Sequence, residues 1–190
     1  DVYKRQPLMD DVGRLQSVLD HCMEFAMNAQ SETWAEKLGL GVLQESDEQL
    51  VNDLLSLLGA TEVDMTMFFR GLCSVEKPDI AQVSDAFYEG EAPDETAWNA
   101  WLMHWWERVD GQPDRATMRA ANPKYVLRNW MAQLAIDAAE QNNDFTLAEE
   151  LHELLKRPYD EQPEHEEKWF QKRPEWARHR VGCSMLSCSS

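Results

Sequence analysis

Positive charge is scarce here relative to acid: 18 Lys and Arg stand against 35 Asp and Glu in 190 residues, a formal net charge of −17. A phosphate backbone or an anionic bilayer surface is held by clustered Lys and Arg, so nucleic acid and membranes are excluded as partners. No apolar run approaches the roughly 20 residues of a membrane span, and no basic-then-apolar segment opens the chain, which therefore reads as soluble and intracellular. Cysteine is sparse. Cys22, Cys73, Cys183 and Cys188 are too few and too scattered for a secreted disulfide scaffold. Motifs that hold phosphates or metals are missing too: there is no GxGxxG, no GxxxxGK, no HExxH and no paired CxxC. His179, Cys183 and Cys188 would supply three zinc ligands, but at an uncommon spacing and without a fourth, so no metal site is assigned. No stretch alternates as a strand does, and no repeat of fixed period is visible.

What remains is helical patterning. From Asp10, Val12, Leu15, Leu19, Cys22 and Ala26 step by three and four, predicting a helix that runs through Trp34 to Leu38 and stops at Gly39. On that face Cys22, like Cys73 further on, reads as a small buried hydrophobe. Ser46 and Gln49 form a capping-box pattern for a helix carrying Leu50, Val51, Leu54, Leu55 and Leu58, and Asp64 caps a short one carrying Met65, Phe68, Phe69 and Leu72. Between Val75 and Pro93 the pattern fades into an acidic loop with room for a short helical turn. Asp94 caps a helix bearing Trp98, Trp101, Trp105 and Trp106; three of these indoles share a face, which reads as core and not as a ligand-stacking platform. Thr146 and Glu149 give a second capping-box pattern, and Pro158 ends that helix.

The stretch Asn122-Pro123-Lys124-Tyr125-Val126-Leu127-Arg128-Asn129-Trp130 is the centre of the pattern. Asn at an N-cap followed by Pro predicts a helix from Pro123, with Val126, Leu127, Trp130, Met131 and Leu134 on a broad apolar face. Arg128 and Asn129 lie among those apolar positions. At least one polar head must then point inward and find partners, because an unpaired buried donor costs about 1–3 kcal/mol. The four residues Asn122, Pro123, Arg128 and Asn129 are assigned a structural role.

The chain divides into three parts. Residues 1–6 match nothing that follows and are set aside as a truncated or artefactual start; residues 7–158 form a helical region; residues 159–190, with Pro163, Pro174 and the isolated Trp169 and Trp176, form an extended tail with little regular structure. Cys188, flanked by small polar residues, has the access that thiol–disulfide exchange requires. The fold class is all-α, an irregular multi-helix domain with an extended C-terminal tail.

The stretch 122–130, the Leu38-Gly39-Leu40 turn, the segment Asp64-Met-Thr-Met-Phe-Phe-Arg70, the element Arg173-Pro-Glu-Trp176 and the terminal Ser-Cys-Ser-Ser occur together and in order. In this the chain resembles the C-terminal portion of selenoprotein O, the UPF0061 family of kinase-fold protein adenylyltransferases. The resemblance implies a parent protein with a kinase-like fold that uses ATP with magnesium or manganese and moves AMP to protein Ser, Thr or Tyr hydroxyls. It also implies that the nucleotide-binding and metal-binding residues lie in an N-terminal kinase-like domain outside this chain, so none is assigned here and no cofactor is expected to bind. The partners implied are that domain and protein substrates. The family pattern further implies that Cys188, third from the end where eukaryotic members have selenocysteine, is a redox-regulatory residue pairing with a cysteine of the kinase-like domain; Cys183 is a second candidate for that role. The compartment implied is cytoplasmic for a bacterial member and mitochondrial for a eukaryotic one. Two classes of function stay open: a helical region that buttresses a catalytic domain and carries a redox tail, or a free-standing acidic interaction module.

Overall fold

Several helices begin at an Asp whose carboxylate accepts a backbone N–H of the first turn. The structure, a computed structural model describing residues 12–90 and 92–183, opens with α1 (Val12–Leu38). Gly39, at φ +66°, closes it. A 3₁₀ turn (Glu45–Asp47) leads into α2 (Glu48–Ala60). Asp64 caps α3 (Met65–Leu72) by accepting the Met67 N–H at 3.0 Å. A 3₁₀ helix (Ile80–Ala86) follows, begun by Asp79. Asp94 caps α4 (Glu95–Arg108) and Asp114 caps α5 (Arg115–Ala121) in the same way. Then come α6 (Asn129–Asn142), α7 (Thr146–Leu155), α8 (Pro163–Trp169) and α9 (Glu175–Arg178). Among the described residues no β-strand forms, although an isolated antiparallel bridge joins Val63 to Phe87.

Two apolar cores result. The first gathers the end of α1, α2, α3, the 3₁₀ helix, α4 and α5 around Phe68, Leu54, Leu72 and the indoles of α4. The rings of Phe68 and Trp98 lie 5.2 Å apart, and Trp101 stacks on Trp105. The stripe is core, and two of its polar edges are used: the Trp101 and Trp105 indole N–H groups donate to the carbonyls of Leu50 and Leu38 at 2.8 and 2.9 Å, while the Trp98 N–H is buried without a partner among the described residues. The second core is smaller, with Tyr125, Trp130, Met131, Leu151, Leu154 and Trp169 drawn from the second half of the chain.

Several sequence expectations are corrected. No helix begins at Pro123: Asn122 ends α5, its N–H donating to the Met118 carbonyl, and the next helix starts at Asn129. The cause is tertiary, because the backbone N–H groups of Lys124 and Tyr125 both donate to the Pro158 carbonyl, at 2.8 and 3.0 Å, and hold this stretch in a non-helical path. Val126 and Leu127 consequently face solvent. Cys22 is exposed, while Cys73 is fully buried as expected. The Ser46–Gln49 box does not form; Gln44 and Asp47 make one instead, since the Arg108 guanidinium fixes the Asp47 carboxylate in place. The α7 start is organised by Asp144, which accepts the Thr146 N–H, and not by Thr146 and Glu149. The stretch after Pro158 carries the two short helices α8 and α9, each anchored by a buried apolar residue, Trp169 and Ala177.

The turn after α1 is held by close approach. A Cβ on Gly39 would lie 2.8 Å from the Met118 sulfur and 3.1 Å from the Asp114 nitrogen, whereas a Cβ on Gly41, at φ +75°, would meet nothing within 4 Å. Gly41→Ala is expected to cost about 1–2 kcal/mol, the penalty of left-handed backbone alone. Gly39→Ala should add about 1–3 kcal/mol of overpacking to that. Paired urea unfolding curves check it; equal losses at the two sites would show that α5 yields freely.

Candidate functional site

Several buried polar residues lie where the two cores meet. Arg70, 7% exposed on α3, sits in the otherwise apolar run Phe68-Phe69-Arg70 and points away from the first core. Its guanidinium donates to the carbonyls of Arg119, Asn122 and Tyr159 at 3.0–3.1 Å and to the Glu161 carboxylate at 2.5 Å. Lys124, 4% exposed, approaches the same carboxylate at 2.9 Å and Glu166 at 2.8 Å. Tyr125 completes the cluster with its hydroxyl 2.9 Å from the carbonyl oxygens of Glu161 and Gln162, able to donate to either.

A second set lies on the other side of the 122–130 stretch. Arg128 makes a two-pronged pair with Asp64, the α3 cap, and donates to the Gln171 carbonyl at 3.0 Å. Asn129 donates from Nδ2 to the Cys183 carbonyl at 3.0 Å. Glu62 receives both Arg173 and Arg178, each at 2.5 Å, and the Tyr88 hydroxyl accepts the Arg173 backbone N–H at 2.9 Å. Of these, Asp64, Tyr88, Arg128, Asn129, Arg173 and Cys183 border an open cleft of about 400 Å³. Asn122 works further off: its side chain accepts from the Lys37 ammonium at 2.7 Å and donates to the Lys37 carbonyl at 2.9 Å, tying α5 to the end of α1. Pro123, half-buried beside it, turns the chain out of α5.

Electrostatics follow from these pairings. Burial alone would push the Glu161 carboxyl up, but hydrogen bonds from Lys124 and Arg70 outweigh it and hold the group below its ordinary value of 4.5. Glu62 is held low in the same way by Arg173 and Arg178. Burial would lower Lys124, yet Glu166 and Glu161 raise it above 10.5. Each of these charges has an opposite charge against it, so the cluster is built to join segments of chain. No nucleophile is set beside a base there. Among the described residues, no group of three or more His, Cys, Asp and Glu is arranged to hold a metal ion.

Of the residues assigned from sequence, Arg128 and Asn129 come together at the cleft, and Cys183 closes one side of it, buried and in no disulfide among the described residues. Asn122 and Pro123 stand apart from them, and Cys188 lies outside the described residues. Arg70, Lys124, Glu161 and Glu62 were missed. Arg70 carries the same signal as Arg128, a charge inside an apolar run; the others carry none.

Comparison with known proteins places this arrangement. The family described as protein adenylyltransferase SelO matches residues 6–156. The chain is 45% identical over 199 residues to a protein named protein nucleotidyltransferase YdiU in Flavobacterium johnsoniae, with 97% of this chain and 37% of the relative covered. A relative of the same name in Xanthomonas campestris pv. campestris is 46% identical over 193 residues with the same shares covered. One in Aromatoleum aromaticum is 48% identical over 165 residues, covering 82% of this chain and 31% of the relative. The chain thus spans 31–37% of the length of these relatives.

Two measurements test the joining role. Asp64 and Arg128 have side chains 5% and 16% exposed, so Arg128→Ala leaves a buried carboxylate without its partner and should cost about 3–5 kcal/mol. In a double-mutant cycle with Asp64→Asn the two losses should fall well short of adding; strict additivity in urea unfolding would show that the pair contributes nothing. The second is pH. Because Glu161 is held low in the folded chain, its stabilising contribution is complete above its unfolded value and lost as pH falls below about 4.5. The urea midpoint of Glu161→Gln should lie below that of the parent at pH 7, and the gap should close towards pH 3; a gap independent of pH would refute the pairing.

Proposed function

The chain belongs to the family of protein adenylyltransferase SelO, and from that premise we propose that it is the helical C-terminal region of a longer protein adenylyltransferase. In that protein the hydroxyl oxygen of a protein Ser, Thr or Tyr bonds to the α-phosphorus of ATP and pyrophosphate leaves. A kinase-like domain supplies the groups that hold ATP and its magnesium or manganese, since such transfer depends on positioned phosphates and metal. The present chain supplies support. The observation that carries this reading is the disparity of coverage: 97% of the chain aligns at 45% identity with a named nucleotidyltransferase, yet takes up 37% of its length. The bacterial source of the relatives favours the cytoplasm.

The internal geometry supports a passive role in the transfer. The cations bordering the cleft, Arg128 and Arg173, each hold a carboxylate of this same chain, so a triphosphate would compete with the pairs that join the cores. The regulatory thiol is then Cys188, pairing when oxidised with a cysteine of the kinase-like domain. Cys183 is the weaker choice because it is 8% exposed and packed in the second core, where a thiol lacks the access that exchange requires. A disulfide brings two Cα atoms to about 4.4–6.8 Å, so the tail must reach that domain.

Titration with a fluorescent ATP analogue and magnesium should show no saturable micromolar binding to the 190-residue chain, while the longer protein binds ATP and transfers AMP to a protein acceptor. Saturable binding by the chain alone would overturn the passive role. Disulfide mapping of the oxidised longer protein should find the cross-link to the kinase-like domain kept in Cys183→Ser and lost in Cys188→Ser; the reverse would reassign the thiol.

A further inference from the structure

α1 is anchored at one end and bare along the rest. Ala35 and Leu38 are buried in the first core, but every residue described from 16 to 33 is exposed. On a helix at 100° per residue, Phe25, Val18, Cys22, Ala26, Leu19, Met23 and Met27 fall within an arc of about 200°, with Ser17, Glu24, Asn28 and Ser31 opposite. Leu19, Phe25 and Met23 are 50%, 70% and 64% exposed. The stripe continues into a shallow groove of about 300 Å³ where Met27 and Trp34 face Leu43, Val51 and Leu55 of the α2 side. From Val18 to Trp34 the apolar surface extends for about 24 Å. Gln30 and Thr33 interrupt the arc towards its C-terminal end, but an exposed and predominantly apolar face of this length is characteristic of a docking surface.

We infer that this face of α1 docks against the part of the longer protein outside residues 1–190, on an apolar surface with basic margins. The inference rests on the proposed function, and names where the buttressing contact is made. Two observations select that occupant. The relatives devote about two thirds of their length to chain not represented here, which is ample to cover one helix face. The stripe is also edged by acid, Asp20 on one margin and Glu32 on the other, in a chain of net charge −17. A second copy packed on the same stripe would bring like margins together, while a surface rimmed by Lys and Arg complements them. Unbranched Met23 and Met27 suit such a seam, because they adapt to the relief of the opposing surface.

Cys22 lies in the stripe and is exposed, which makes it a reporter, with buried Cys73 as internal control. Iodoacetamide labelling under native conditions, read by peptide mass spectrometry, should alkylate Cys22 rapidly in the 190-residue chain at every protein concentration. In the longer protein the same thiol should react at least about tenfold more slowly, with matching protection of the 16–33 amides from hydrogen exchange. Leu19→Asp with Phe25→Asp should restore fast labelling there. Equal Cys22 rates in the two proteins would overturn the inference, and so would protection in the 190-residue chain that rises with concentration alongside a dimeric mass, which would assign the face to a second copy. AMP transfer by the longer protein separates the two readings. Transfer with Cys22 unprotected sinks the docking face alone; protected Cys22 without transfer sinks the adenylyltransferase reading and leaves the docking face standing.

Discussion

A guanidinium withdrawn from water must find acceptors on several sides at once, and Arg70 finds them on two separate stretches of chain, 119–122 and 159–161. It emerges from α3 in the first core and reaches the end of α5, the carbonyl of Tyr159 and the carboxylate of Glu161. Desolvating such a charge costs several kcal/mol, returned only when its hydrogen-bonding capacity is filled in good geometry. The stretches that fill it are therefore constrained together. Lys124 shares Glu161, so the path of residues 122–125 is set by the same requirement.

This explains why the 122–130 stretch is not a helix. Continuing α5 through Pro123 would turn the N–H groups of Lys124 and Tyr125 into the helix and away from the Pro158 carbonyl, and would withdraw the Lys124 ammonium from its two carboxylates. The stretch is a strap between two cores, with Lys124 facing one polar cluster and Arg128 the other. Its apolar members divide accordingly: Tyr125 and Trp130 enter the second core, while Val126 and Leu127 are left at the surface.

What could be read in the sequence is what depends on near neighbours. Asp64 and Asp94 were legible as caps because the bond each makes spans three residues, and the indole stripe of α4 was legible because helical spacing alone puts Trp98, Trp101 and Trp105 on one face. The errors occur where a distant group competes. Asn122 has the residue type of an N-cap, but its amide is taken by Lys37, 85 positions away. Ser46 and Gln49 have a capping-box spacing, but Arg108 holds Asp47, 61 positions away, in the place where the turn forms. The inward polar role of Arg128 could be anticipated from its apolar neighbours, whereas its partner Asp64 could not be named from spacing.

The same contrast separates the two ends of the molecule's surface. Around the strap, the charged heads of Arg70, Lys124 and Arg128 are matched within the chain, while the buried Trp130 Nε1 and Arg173 Nε have no partner among the described residues. Along α1, apolar side chains recur at helical spacing with no core behind them, so the periodicity that forms the helix does not locate its partner. A helix held in water by propensity alone is marginal, and most helical stability in proteins comes from packing an apolar face. α1 gains that packing within this chain only over its last turns, at Ala35 and Leu38. Among the described residues the length from 16 to 33 has no such packing, in a chain that covers 37% of its Flavobacterium johnsoniae relative.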